Sequence, residues 1–218
     1  MSRSFSRLQR LCGVALLGAL AFLVLLMFRV PLFPAASFLS FECKDVILAV
    51  AGLMFGPAAG AAAAAVTCLV EWLTISSTGV IGFAMNLLSS LCFLLPAAFL
   101  YNKKRTSVRA LIGLVLGALL MCGVMLLWNI FLSPLYMGVP RQAVIEMLLP
   151  VFLPFNLIKG GLNAGITLLL WHVLQPALAR AELLPEALPA PRYTRWVPVL
   201  LAALLLTGSG VAVWLLQG

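Results

Sequence analysis

The sequence predicts an all-α polytopic membrane bundle: a six-helix core followed by a seventh, C-terminal apolar helix. Three observations carry that reading. Hydrophobic residues make up 64% of the 218-residue chain and charged residues 9%, against about 45–50% and about 25% in soluble domains. So few charges leave a water-facing surface uncovered, which excludes a soluble enzyme, a disordered tail and a secreted disulfide scaffold. Apolar runs close to the roughly 20 residues that a helix needs to cross a bilayer recur along the chain, and the basic residues cluster between those runs. The mean hydropathy of +1.15 agrees.

The elements follow in order. Leu11–Phe28 is the first apolar run; its basic start resembles a signal peptide, but no small-residue cleavage site follows, so it reads as a retained helix. The stretch from Val46 to Ile75 is too long for one span, and Gly56-Pro57 breaks it. It divides into Lys44–Phe55, which is short, and Ala58–Ser76. Gly82–Tyr101, Arg109–Leu132 and Leu148–Leu174 are the fourth to sixth helices. Gln175–Thr194, rich in proline and charge, reads as a linker, and Trp196–Leu216 as the seventh helix. The organisation is therefore a membrane domain over 1–174, a cytoplasmic linker over 175–195 and an additional helix over 196–218. No β-strand is predicted.

The charge of +8 would hint at nucleic acid in a soluble protein. Here it tracks the loops, so no nucleic-acid partner is expected. Arg3, Arg7 and Arg10 precede helix 1; Lys103, Lys104, Arg105 and Arg109 join helices 4 and 5; Arg180, Arg192 and Arg195 follow helix 6. With the N-terminus inside, all of these face the cytoplasm, as the positive-inside rule requires; Arg29, Lys44 and Arg141 fall in outer loops. The location expected from this pattern is a membrane, crossed several times, with the N-terminus in the cytoplasm.

Polar groups within membrane helices are costly and point to function. With this orientation Glu71, Asn86, Asn129, Asn156 and Lys159 all fall in the outer half of the membrane. Asn156, Lys159, Asn163 and Thr167 follow one another at helical spacing and share a face. That face is either an interhelical packing surface, with Lys159 neutralised by Glu71 or Glu146, or the wall of a cavity for a neutral, polar-edged small molecule. The outer loop around Pro31–Phe41, with Leu39 and Phe41, is apolar and reads either as a cover for that cavity or as an interfacial anchor. Trp72 and Trp128 are either interfacial anchors or a stacking wall for a flat ring.

The sequence lacks a GxxxxGK[ST] phosphate loop. His172 is its single histidine, so no Ser/His/acid set can be assembled. Cys12, Cys43, Cys68, Cys92 and Cys122 form no close pair, and the four that lie in apolar runs read as small hydrophobes. No cofactor and no metal are expected.

Several motifs resemble one family. Phe41-Glu-Cys-Lys-Asp-Val, Ala51-Gly-Leu-Met-Phe-Gly-Pro-Ala-Ala-Gly60, Phe83-Ala-Met-Asn86, Leu94-Leu-Pro-Ala-Ala98, and Trp128-Asn129 before Pro134-Leu-Tyr136 are similar to segments of the substrate-binding S components of energy-coupling factor (ECF) vitamin transporters. Leu153-Pro-Phe-Asn-Leu-Ile-Lys-Gly160 resembles the riboflavin-specific S component. The resemblance covers roughly Leu11 to Leu174. It implies a riboflavin-binding subunit of an ATP-driven importer, not an enzyme, with riboflavin as transported ligand. The partners it implies are a membrane coupling protein and two ATP-binding-cassette ATPases. It places binding roles on Asn129, Asn156 and Lys159 and a covering loop at about Pro31–Phe41. It also places coupling-protein docking on the Ala-x-x-x-Ala pair Ala15 and Ala19. With the bottom-up polar cluster, the candidate substrate-binding set is Leu39, Phe41, Asn86, Trp128, Asn129, Asn156 and Lys159. The rival readings are an S component for another vitamin or a flavin analogue, a lipid-modifying membrane enzyme built on Glu71 and Lys159, and a scaffold subunit without ligand. The seventh helix departs from the family's six.

Overall fold

The computed structural model describes residues 7–31, 39–76, 79–180 and 197–217. Helix α1 runs over Arg7–Met27, and a short antiparallel hairpin follows, with β1 over Arg29–Pro31 and β2 over Ser40–Glu42. Then come α2 (Lys44–Phe55), α3 (Pro57–Thr74), α4 (Gly79–Lys103), α5 (Ser107–Met137), α6 (Arg141–Met147), α7 (Leu153–Arg180) and α8 (Val197–Gln217). Among the described residues five stretches are long and apolar enough to cross a membrane: Arg7–Met27, Pro57–Thr74, Gly79–Lys103, Ser107–Leu135 and Arg141–Leu178.

The short helix α2 sits at the centre. All 12 of its residues are buried, and it packs against α1, α3, α4 and α7. A helix apolar around most of its circumference has to be enclosed, which is why this segment need not reach a full span. Gly56 ends it with φ of 95°, a left-handed conformation that L side chains avoid, and Pro57 then starts α3 at a position where its missing N–H costs nothing. At the same end, the Arg10 guanidinium of α1 donates to the Phe55 carbonyl at the end of α2. Helices α4 and α5 approach closely where a Cβ on Gly117 would lie 2.1 Å from the Phe93 carbonyl oxygen.

The structure corrects three sequence expectations. The connection between α1 and α2 contains a hairpin where no strand is predicted. Its register sets Arg29 opposite Glu42 and Val30 opposite Phe41, and the Arg29–Glu42 ion pair (3.5 Å) closes it. Three-residue strands are too short to show an alternating pattern in sequence. The sixth helix begins earlier than Leu148. α6 leads through a π-helical turn, Leu148–Phe152, into α7, and the wider turn accommodates Pro150, which lacks a backbone donor and would clash in a regular α-turn. Finally, Gln175 does not open a linker: α7 continues to Arg180, and Gln175 is buried. The rest of the expected linker, residues 181–196, lies outside the described residues, as do residues 32–38 of the expected covering loop.

Helix α8 packs along α7 on the side of Gly161 and Gly165. A Cβ on Gly161 would lie 2.5 Å from Ser209 Oγ, and one on Gly165 2.9 Å from the Leu206 side chain. Ala202 and Ser209 are buried there. The interface is fitted, unlike a peripheral helix held by hydrophobicity alone.

Candidate functional site

At the end of the bundle where α2 begins, a cavity of about 90 Å³ opens between α4, α5, α7 and the hairpin segment. Its polar lining is Asn86 and Ser89 from α4, Asn129 from α5, and Asn156 and Lys159 from α7. Leu39, Ile81, Met85, Met125 and Phe155 supply apolar wall. Asn86, Asn129, Asn156, Lys159 and Leu39, expected from sequence, are thus brought together. Phe41 is close by, packed on Phe155 and Ile158, but does not line the cavity. Trp128 is packed into the main core instead. Successive helical residues point about 100° apart, so a helix that presents Asn129 to the cavity turns Trp128 away. Trp72 packs against Phe83 with ring centroids 5.5 Å apart and does not line the cavity either.

Backbone and side-chain partners fix which atoms remain available to a ligand. Asn156 Nδ2 donates to the Phe152 carbonyl (2.7 Å) at the end of the π-turn, which holds the side chain and leaves its Oδ1 as an acceptor. Asn129 Nδ2 donates to the Met125 carbonyl (2.8 Å), and Ser133 Oγ donates to Asn129 Oδ1 (2.6 Å). Asn86 Nδ2 donates to Glu71 Oε1 (2.8 Å), so its carbonyl oxygen is the group left over. Lys159, buried to 7% exposure, has Asp45 Oδ2 at 3.9 Å; an ammonium group carries three donors and no acceptor, so most of its donor capacity is unused.

The sequence reading did not find the carboxylates behind these groups. Lys159 is balanced by Asp45, not by Glu71 or Glu146. Glu71 is held by Lys44, which also pairs with Glu42 at 3.1 Å. Lys44, counted among the outer-side basic residues and expected to open the second helix, is the first residue of α2 and 1% exposed, a buried charge and not a surface one. Ser90 donates to Asp45 Oδ1. Burial raises the Glu42 carboxyl, but the charges of Lys44, Lys159 and Arg29 outweigh burial and hold it below the usual carboxylate range. The available signal was Lys44-Asp45 itself, two opposite charges opening a helix whose remaining residues are apolar or glycine. Arg29, Lys44 and Lys159 balance Glu42, Asp45 and Glu71, and among the described residues no carboxylate lines the cavity. The cavity therefore presents both donors and acceptors with little net charge between apolar walls, which suits an uncharged molecule with flat apolar faces and a polar edge. Glu71 and Lys159 are each engaged with a different partner, so they do not form the acid–base pair that a lipid-modifying enzyme would need.

A membrane bundle that encloses such a cavity has the form of a solute-binding transport subunit. The family model "ECF transporter, substrate-specific component" matches residues 9–171; the chain belongs to that family, is a multi-pass membrane protein and works with an ECF module. It is similar to the riboflavin transporter RibU of Staphylococcus aureus (strain TCH60), with 34% identity over 179 residues covering 79% of this chain and 93% of that one. It is also similar to the riboflavin transporter FmnP of Bacillus subtilis (strain 168), with 29% identity over 180 residues covering 78% and 94%. A solved structure described as the S component of a bacterial ECF transporter superposes with a TM-score of 0.67 at 30% identity, covering 79% of this chain and 99% of that one. The family match ends within α7, so α8 lies beyond it.

Proposed function

We propose that this protein captures riboflavin at the outer face of a bacterial cell membrane and delivers it to an ECF module of one membrane coupling protein and two ATP-binding-cassette ATPases. The observation that carries the reading is the cavity in which Asn86, Asn129, Asn156 and Lys159 converge between apolar walls; the similarity to two riboflavin transporters supports it. The isoalloxazine ring is flat and uncharged and has a carbonyl–NH–carbonyl edge. Asn156 Oδ1 and Asn86 Oδ1 are suited to the ring N–H, and the Lys159 ammonium to a carbonyl or ribityl oxygen. Pockets for drug-sized ligands measure roughly 300–1,000 Å³, so a three-ring ligand requires the side chains around the cavity, Leu39 and Met85 among them, to move outward. The N-terminus is cytoplasmic in this reading, with Arg7, Arg10, Lys103, Lys104, Arg105, Arg109 and Arg180 together at the inner end.

The visible spectrum of the purified protein tests the reading. A flavin-loaded preparation is yellow; a colourless one that also fails to quench riboflavin fluorescence would refute it. Within it, Asn156→Ala and Lys159→Ala are each expected to weaken binding by about 1–3 kcal/mol, the cost of leaving a buried partner unsatisfied, as read by fluorescence titration. Unchanged affinity in both would remove α7 from the site.

A chain ending at Arg180 is expected to keep its riboflavin affinity within about threefold, under roughly 0.7 kcal/mol. Among the described side chains none from α8 lines the cavity. At about 100° per residue, Gly161 and Gly165, which carry α8, lie on the opposite side of α7 from Asn156 and Lys159. Loss of binding by a well-folded truncated protein would show that α8 helps to shape the site.

A further inference from the structure

Helix α8 creates a feature that the matched region alone cannot form. It packs closely on α7 and diverges from α5, leaving between α5 and α8 a groove of about 300 Å³. Leu111, Ile112, Val115 and Leu116 line one side and Leu204 and Leu205 the other, all apolar among the described residues. Ile112, Val115, Leu116 and Leu204 are exposed, so the groove is open to the membrane.

The end at which the groove lies is strongly basic. Arg109 precedes Ile112 by three residues and Leu116 by seven, which places all three on one face of α5. Lys103, the last residue of α4, and Lys104, in the connection to α5, are exposed. Arg7, Arg10 and Arg180 belong to the same end. Among the described residues Glu42, Asp45, Glu71 and Glu146 are at the other end, and Glu182 and Glu186 of the expected linker lie outside the described residues. The basic residues alone are what membrane orientation demands. The added observation is an apolar groove that begins one helical turn from Arg109.

We infer that this groove is a binding site for an anionic phospholipid. One acyl chain lies between α5 and α8, and the headgroup phosphate meets Arg109 and Lys104. Basic pockets beside membrane helices on the cytoplasmic side hold anionic headgroups by charge, and the groove adds contact area that a flat helix face lacks.

The test uses the full-length protein, exchanged into detergent with equal amounts of phosphatidylglycerol and phosphatidylcholine carrying the same acyl chains. Retained lipid is then counted by native mass spectrometry. The expected result is at least fivefold more phosphatidylglycerol than phosphatidylcholine on the native protein. Arg109→Gln combined with Lys104→Gln is expected to bring the two lipids to parity. Val115→Phe, which fills the groove from α5, and Leu204→Phe, which fills it from α8, are each expected to lower retention of both lipids, while Leu127→Phe, outside the groove, changes nothing. Size-exclusion elution shows that each variant is folded, and either filling variant suffices if the other is not. Equal retention of the two lipids by the native protein overturns the inference. So does undiminished phosphatidylglycerol retention in a folded filling variant, including the case in which that variant instead loses capture of the coupling module.

Discussion

Replacing Ala15 and Ala19 together by leucine is expected to leave riboflavin binding within about threefold of the native protein and to abolish uptake into cells. The two alanines are one helical turn apart on α1, and both are exposed. The face that α1 buries is a different one, formed by Gly18, Ala21 and Leu25. Thr67 Oγ1 of α3 donates to the Gly18 carbonyl (3.1 Å), fixing how that face sits. Leucines at 15 and 19 therefore meet lipid or a partner, not the protein's own core. Large exposed side chains surround them, Leu11, Leu16, Leu20 and Leu23 among these, so the alanines form a shallow strip in an otherwise bulky surface. Small residues let membrane helices approach closely, and adding branched carbons holds them apart. No residue of α1 lines the cavity, which is why binding and uptake separate. Flavin fluorescence quenching on purified protein and riboflavin accumulation in expressing cells read the two quantities. Intact accumulation in the double variant would refute docking through this strip.

How much of this was legible in the sequence depends on the kind of interaction. Helix order was readable because apolar runs and the Gly56-Pro57 break are local signals; the expected bounds Lys44–Phe55 coincide with α2. The convergence of Asn86, Asn129, Asn156 and Lys159 was also readable, because a membrane fixes depth along each helix and so converts position in the chain into height in the fold. Lateral placement was not readable. Depth alone cannot say that Asp45 lies beside Lys159, or that Glu71 is occupied by Lys44; that requires knowing that α2 stands at the centre of the bundle. Trp128 shows the same limit. Adjacent to Asn129 in sequence, it faces another direction on the helix. The fit of Ser209 to Gly161 was illegible for a further reason, because a small residue in an apolar segment gives no sign of which neighbour it accepts.

Lys44→Met is expected to be among the most destabilising single changes outside the cavity lining, by about 3–5 kcal/mol, the range for breaking a buried ion pair by removing one partner. Lys44 is 1% exposed and serves Glu71 and Glu42 together. Methionine matches its length and its apolar stem but leaves both carboxylates without their shared cation. Glu42 keeps Arg29 at 3.5 Å; the Glu71 carboxylate keeps, among the described residues, the neutral amide of Asn86 as its hydrogen-bond donor. The larger part of the penalty therefore falls on Glu71, and because Asn86 lines the cavity, riboflavin affinity should fall with stability. This division predicts a rescue. Adding Glu71→Gln to Lys44→Met removes the stranded charge, while the new amide oxygen still accepts from Asn86. The double variant should recover most of the lost stability and the affinity, whereas Glu42→Gln in place of Glu71→Gln should recover less. Unfolding by a denaturing detergent, followed by tryptophan fluorescence, measures the first quantity, and flavin titration the second. A Lys44→Met protein as stable as the native one would mean that the buried carboxylates are neutral in the folded state. Failure of Glu71→Gln to rescue would mean that Lys44 acts through Glu42 and the hairpin.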